Sequence, residues 1–276
     1  DKGERMATAY LAAFLEGLGL HPAGGNESYF QTFDFPAGMK LDGENDLTFD
    51  GGVPAGFDKT IAPGRHYQPL SFSRSGRFGA ELVFAGFGIV AGDYDSFEEL
   101  EVKDKWVVVL RGNPEARPRL RGSGPLVVKA NLAKEKGATG IIFVKGTNKE
   151  VSSELFFPSQ DIGGGTILPA LTITDQLAAP LLTGKPGPAS LKNLFESYSR
   201  AEKVKGFALK QRISARIGVA KNRDEGRNVV ARLVVGEKPS GEAIMIGAHI
   251  DHLGYGNRGG TRARGEEANE IHFGAD

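Results

Sequence analysis

The stretch Ile244-Met245-Ile246-Gly247-Ala248-His249-Ile250-Asp251 decides the fold of the later part of the chain. A short apolar run of this kind predicts a buried strand. His249 and Asp251 share one face of that strand because side chains alternate with period two. Open α/β sheets bind their ligands at the carboxyl ends of strands, so the His-x-Asp pair lies where a functional site is expected.

His249 is a candidate zinc ligand, since a neutral imidazole at a strand end suits that metal. Asp251 is a candidate for the carboxylate that orients the liganding imidazole and fixes its tautomer. The residues alone leave a structural or solvated His-x-Asp pair as an equal alternative. Asp276, preceded by Phe273-Gly274-Ala275, is a further candidate ligand.

Composition narrows the classes of protein to which the chain can belong. With 276 residues, 40% hydrophobic content and 25% charge, it is an ordinary globular protein of one large or two modest domains. Lys+Arg and Asp+Glu both total 34, so no net charge favours nucleic acid. The sequence contains 0 cysteines, which leaves His, Asp and Glu as metal ligands. No apolar run approaches the roughly 20 residues of a membrane span.

The pattern along the chain predicts an α/β protein with a β-rich middle. Helical spacing over 5–18 is followed by alternation over 29–35, which predicts a helix and then a strand. Residues 228–233 and 243–248 flank a Gly/Pro turn and are predicted to pair as antiparallel strands. In the middle region the predicted strands are 81–89, 106–110, 140–144 and 168–173, and the predicted helices are 130–136 and 175–182.

Several other residues resemble functional motifs but are better explained as turns or loops. Gly86-Phe87-Gly88 and Gly163-Gly164-Gly165 lack the strand–turn–helix context of a nucleotide loop. Ser123 lacks the spacing of a nucleophile elbow. The remaining polar candidates are expected in loops or on solvated faces: Arg117, Arg119, Arg121, His252, Glu266, Glu267, Glu270 and His272.

Taken together, these segments resemble the co-catalytic di-zinc peptidases typified by bacterial leucyl aminopeptidases and glutamate carboxypeptidase. The residues that carry this resemblance are Asn228-Val229-Val230-Ala231, Ile246 to Gly254, and Ile271-His272-Phe273-Gly274-Ala275-Asp276. The middle region resembles a protease-associated domain. Its marks are Phe84-Ala85-Gly86-Phe87-Gly88, Lys105 to Val109, Ala133 to Ala138 and Leu168-Pro169-Ala170-Leu171.

The resemblance implies a domain organisation. An α/β peptidase domain, with a mixed sheet and flanking helices, is interrupted by a β-rich protease-associated domain. The implied boundaries are 1–66 and 189–276 for the two parts of the peptidase domain and 67–188 for the protease-associated domain.

It also implies roles for individual residues. His249 resembles a ligand of one of two zinc ions and Asp251 resembles its orienting carboxylate. By the family's spacing Asp276 is the neighbour of the bridging aspartate, and it stays a candidate ligand. The paired glutamates, a further acidic ligand and the last histidine are expected beyond residue 276, so this stretch alone is expected to hydrolyse nothing.

The implied activity is that of a zinc-dependent exopeptidase, most simply an aminopeptidase acting on peptides. Two zinc ions would activate a water, a glutamate would accept its proton, and the hydroxide would attack the scissile carbonyl. A non-catalytic binding protein on the same fold is the alternative from another class. A zinc-dependent glutaminyl cyclase is a third, against which the inserted domain argues. The first residue, Asp1, suggests a trimmed form, and a secreted or periplasmic location is expected.

Overall fold

The fold is given by a computed structural model that describes residues 2–56, 60–117, 119–120, 125–146, 155, 168–201, 203–238, 241–250 and 270. The chain divides into two compact units. The first contains residues 1–35 and 224–276, and the second contains residues 36–223. The predicted domain boundaries at 66/67 and 188/189 stay a prediction.

The described residues form helices, many short strands and connecting turns. The helices are α1 (Lys2–Gly17), α2 (Leu126–Glu135), α3 (Asp175–Thr183) and α4 (Pro188–Arg200). The strands before α2 are β1 (His21–Pro22), β2 (Phe30–Leu41), β3 (Asp46–Asp50), β4 (Tyr67–Pro69), β5 (Gly76–Phe84), β6 (Val90–Ala91), β7 (Tyr94–Asp95) and β8 (Trp106–Leu110). Those after it are β9 (Gly140–Val144), β10 (Ala170–Ile173), β11 (Phe207–Ile217), β12 (Val219–Val229) and β13 (Ala231–Arg232). None of the helices in these ranges is long and apolar enough to cross a membrane.

The second unit is built on a mixed sheet of order β3-β11-β5-β8-β9-β10-β4. The central strands β5, β8, β9 and β10 are parallel to one another, and the strands beyond them pair antiparallel. Every residue of β8 and β9 is buried, as continuous apolar runs predict for parallel strands covered on both faces. The predicted mixed α/β architecture is confirmed.

Alternation along the central strands separates two cores, one on each face of this sheet. One face places Trp106, Val108 and Leu110 against α3 and α4. The other places Val107 and Val109 against α2. Helix α3, predicted over 175–182, continues through Pro180, and its buried apolar residues explain why packing outweighs the lost hydrogen bond.

The first unit is organised around Arg227 on β12. Its guanidinium donates to Thr8 Oγ1 at 2.7 Å and to the Arg5 carbonyl at 2.6 Å, both on α1. It also lies over the Phe30 ring, 4.2 Å from the centroid. A planar guanidinium with several donors can satisfy helix and ring together, so this residue fixes α1 against β2 and β12.

Candidate functional site

The segment that contains His249 is exposed and forms neither helix nor strand. Residues 242–250 form no strand, and Ile244, Met245 and Ile246 are 94%, 94% and 93% exposed. The prediction of a buried strand over 243–248 is therefore wrong for this structure. Its predicted antiparallel partner is wrong as well, because β13 pairs with β1 in the register His21↔Arg232.

The physical reason is that apolar periodicity identifies residues that can form a strand. It does not determine which other strands and helices pack against them. A strand is buried only when other strands and a covering layer flank it. Among the described residues of the first unit, the ladders are two-stranded pairs, and none includes residues 242–250. Its apolar side chains therefore stand in water.

Of the predicted site residues, His249 alone lies within the described ranges. It is exposed, near the end of segment 242–250. Asp251 and Asp276 lie outside the described residues, as do His252, Glu266, Glu267 and His272. In the ranges that the structure does describe, no group of three or more His, Asp or Glu side chains could hold a metal ion. One imidazole does not hold zinc, so the described residues alone do not fit the ion.

The second unit contains a buried polar cluster at the carboxyl end of its parallel strands. Lys129 on α2 is 1% exposed, and its ammonium donates to the carbonyl of Leu110, at the end of β8, and to that of Gly112. Arg111 lies between these two and is half-buried. Burial lowers the pKa of the Arg111 guanidinium.

A second buried polar contact lies at the end of the next strand. The Gly146 N–H donates to Asp175 Oδ1 at 2.9 Å, which ties the loop after β9 to the first turn of α3. Burial raises the pKa of the Asp175 carboxyl, although the hydrogen bond from Gly146 acts in the opposite direction.

Sequence reasoning missed both Lys129 and Asp175. A signal was present for Lys129, because it lies one turn before Ala133 and three residues after Leu126, on the buried side of α2. For Asp175 the position just after a buried strand was the signal, since carboxyl ends of strands gather polar groups.

The turn Gly86-Phe87-Gly88 and α2 enclose a shallow groove on the surface of the second unit. Its volume is about 240 Å³ and it is lined by Gly88, Ile89, Val90, Val128, Asn131, Leu132 and Glu135. Gly86 and Gly88 have φ values of +50° and +64°, so the interpretation of this motif as a turn is confirmed. A Cβ at Gly88 would lie 2.6 Å from Val109, which closes the floor of the turn to larger residues.

The other weak motifs fall into loops where the structure describes them. Arg117 forms a two-point ion pair with Asp93, with distances of 2.9 and 3.1 Å, at the surface. Arg119 and Glu270 are exposed. Arg121, Ser123 and Gly163-Gly164-Gly165 lie outside the described residues.

Comparison with known families identifies the central part of the second unit. Residues 78–181 match the family model of the PA domain, so this part of the chain is a protease-associated domain, as the sequence predicted. The match includes the parallel strands, α2 and the buried cluster around Lys129. No curated protein matches the chain in sequence.

Among solved structures, the chain aligns in part with several peptidases. An aminopeptidase from Aneurinibacillus sp. strain AM-1 aligns with 20% identity and a TM-score of 0.43, over 85% of this chain and 44% of that one. A zinc aminopeptidase from Bacillus subtilis aligns with 16% identity and a TM-score of 0.37, over 85% and 42%. A peptidase M28 precursor from Shewanella amazonensis SB2B aligns with 17% identity and a TM-score of 0.36, over 84% and 45%. The chain thus spans less than half the length of these proteins, and at such scores the likeness says nothing about activity.

Proposed function

We propose that the chain is part of a zinc-dependent exopeptidase, an aminopeptidase that hydrolyses the N-terminal residues of peptides. The observation that carries the proposal is the protease-associated domain at 78–181, followed by the His249-Ile250-Asp251 motif. Neither feature is specific alone. Their order along one chain is the order that the resemblance to di-zinc peptidases implies.

Within this proposal, His249 is a zinc ligand, Asp251 orients its imidazole and Asp276 is a candidate second ligand. The exposure of His249 is compatible with that role, because a ligand must be reachable by the ion and by the rest of its ligand set. The ligand set needs more donors than the described residues supply, so the proposal concerns the whole gene product. We further propose that the enzyme acts outside the cytoplasm, which cell fractionation would test.

Zinc content tests the metal part of the proposal. The whole gene product should bind two zinc ions per molecule, and His249→Ala should bind fewer. The matched control is His21→Ala, because His21 is also exposed and lies on β1, outside the motif. Asp251→Asn should weaken zinc binding by about 10- to 100-fold, the usual effect of losing a carboxylate that supports a liganding histidine. Unchanged zinc stoichiometry in His249→Ala would refute the assignment.

Substrate preference tests the activity part separately. Aminoacyl-nitroanilides with a free amino group should be hydrolysed, with loss of activity on chelation and recovery on adding zinc. Hydrolysis of peptides with blocked amino termini only would contradict the aminopeptidase assignment while leaving the metal assignment intact. Zinc binding without hydrolysis of any peptide would indicate a binding protein.

A further inference from the structure

Lys129 is a lysine in the core of the protease-associated domain. Lysine is almost never fully buried without a partner, yet this side chain is 1% exposed. Its ammonium donates to the carbonyls of Leu110 at 2.9 Å and Gly112 at 2.6 Å. It also lies 5.6 Å from the centroid of the Phe87 ring, within the range of a cation–π contact. Three separate segments therefore meet at one amino group.

These segments support both walls of the surface groove. Val128, which precedes Lys129 on α2, lines one wall. Gly88, which follows Phe87, lines the opposite wall. The Leu110 N–H donates to the Gly86 carbonyl at 2.8 Å, so the end of β8 is also joined to the turn of the second wall. A change in the protonation of Lys129 therefore affects both walls of the groove.

The charges around this amino group oppose its protonation. Burial, followed by the positive charge of Arg111, lowers the pKa of Lys129 to about 7. The two carbonyls favour the ammonium form, but removal from water outweighs them. Phe87 packs against Phe195 of α4 and brings no charge from that side. Among the contacts of the described residues, no carboxylate lies against the Lys129 ammonium.

We propose that protonation of Lys129 favours opening of the groove between α2 and residues 88–90, so that solution pH controls this opening. When the amino group is neutral, the junction of α2, β8 and the Phe87 turn is closed. When it is protonated, a charge is held in an apolar core, and opening releases that charge to water.

The direction of the pH dependence follows from the difference in proton affinity. In the opened state the amine regains its ordinary pKa of about 10.4, so opening takes up a proton between the two values. The closed state is therefore favoured as pH rises from about 7 toward 10.4, by up to tenfold in the opening equilibrium for each pH unit. Below pH 7 both states are protonated, and Lys129 adds no further dependence.

Amide hydrogen exchange of α2 in the 276-residue chain tests this pH-dependent opening. After correction for intrinsic exchange, opening should fall about fiftyfold between pH 7 and pH 9. Lys129→Met replaces the amine with an apolar group of similar length and should make opening nearly independent of pH. Lys134→Met is the matched control, because Lys134 is exposed on the same helix and its loss should leave the pH dependence unchanged.

A direct titration keeps the proposal testable if Lys129→Met does not fold. In protein labelled with ¹³C-lysine, one side-chain resonance should titrate near pH 7 and be absent in Lys129→Arg. A titration of Lys129 above pH 9 would overturn the proposal. Opening of α2 that does not change between pH 7 and pH 9 in the wild-type chain would overturn it equally.

Discussion

Gly140 on β9 is the position in the protease-associated domain where adding a single methyl group should destabilise the fold most strongly. It pairs with Trp106 across the parallel ladder. A Cβ built at Gly140 would lie 2.5 Å from both Cε3 and Cζ3 of Trp106. The indole is 0% exposed and cannot move aside without displacing its own neighbours. Gly140→Ala should therefore destabilise the chain by about 3 kcal/mol, the upper part of the range for overpacked cores.

Urea unfolding followed by tryptophan fluorescence measures this loss directly, because the chain contains one tryptophan. The matched control is Gly79→Ala on β5, where the nearest atom to a new Cβ is the Ser214 hydroxyl at 3.2 Å and the site is exposed. That change should stay within about 0.5 kcal/mol of wild type. If Gly140→Ala also unfolds within 0.5 kcal/mol of wild type with unchanged emission, the close contact of Trp106 with Gly140 is refuted.

Three further predictions concern the same unit. Leu171→Ala on β10, at a fully buried position, should lower the free energy of unfolding by about 2–5 kcal/mol, measured in urea. Thr174 caps α3 by accepting from the Leu177 N–H at 3.4 Å, so Thr174→Ala should cost about 0.5–1 kcal/mol and Thr174→Ser should cost less. The hydrogen bond and charge of Arg117 hold the pKa of Asp93 below its ordinary value, so any stabilisation is present above the ordinary carboxyl pKa and lost as pH falls through the lowered one. Carboxyl NMR should show that pKa rising in Arg117→Gln, and an unchanged value would exclude the pair in solution.

The sequence predicted two central strands of the second unit closely, whereas the predicted strand 81–89 is displaced from β5 at Gly76–Phe84. The apolar runs at 106–110 and 140–144 are strands β8 and β9 with the expected ends. Such strands can be recognised from the sequence alone, because a strand buried on both faces must be apolar throughout. The protease-associated domain was likewise recognisable from residues that are close together in the chain.

Prediction failed where burial depends on distant partners. The run Ile244-Met245-Ile246 has the same apolar character as β8, yet it is almost fully exposed. Its periodicity is a local property, whereas its burial needs strands and helices supplied from elsewhere. Lys129 is the opposite case, since a charged residue is expected at the surface but is buried here by contacts with β8 and the Phe87 turn.

For the candidate metal site, the sequence supplied the motif and the order of its residues. His249 and Asp251 were identified because their spacing on a strand would bring imidazole and carboxylate to one face. Distances between ligands are a property of the assembled site, and among the predicted ligands the structure describes His249 alone. The roles of Asp251 and Asp276 therefore stay predictions.

The sequence by itself determined the mixed α/β class and the protease-associated domain, because both are encoded in short apolar runs and turn residues. The tertiary structure alone decided which of those runs are buried, that Gly140 must make room for an indole, and that Lys129 lies in a core. These outcomes depend on which segments contact one another in space. The free energy of burying a side chain depends more on these contacts than on the type of residue.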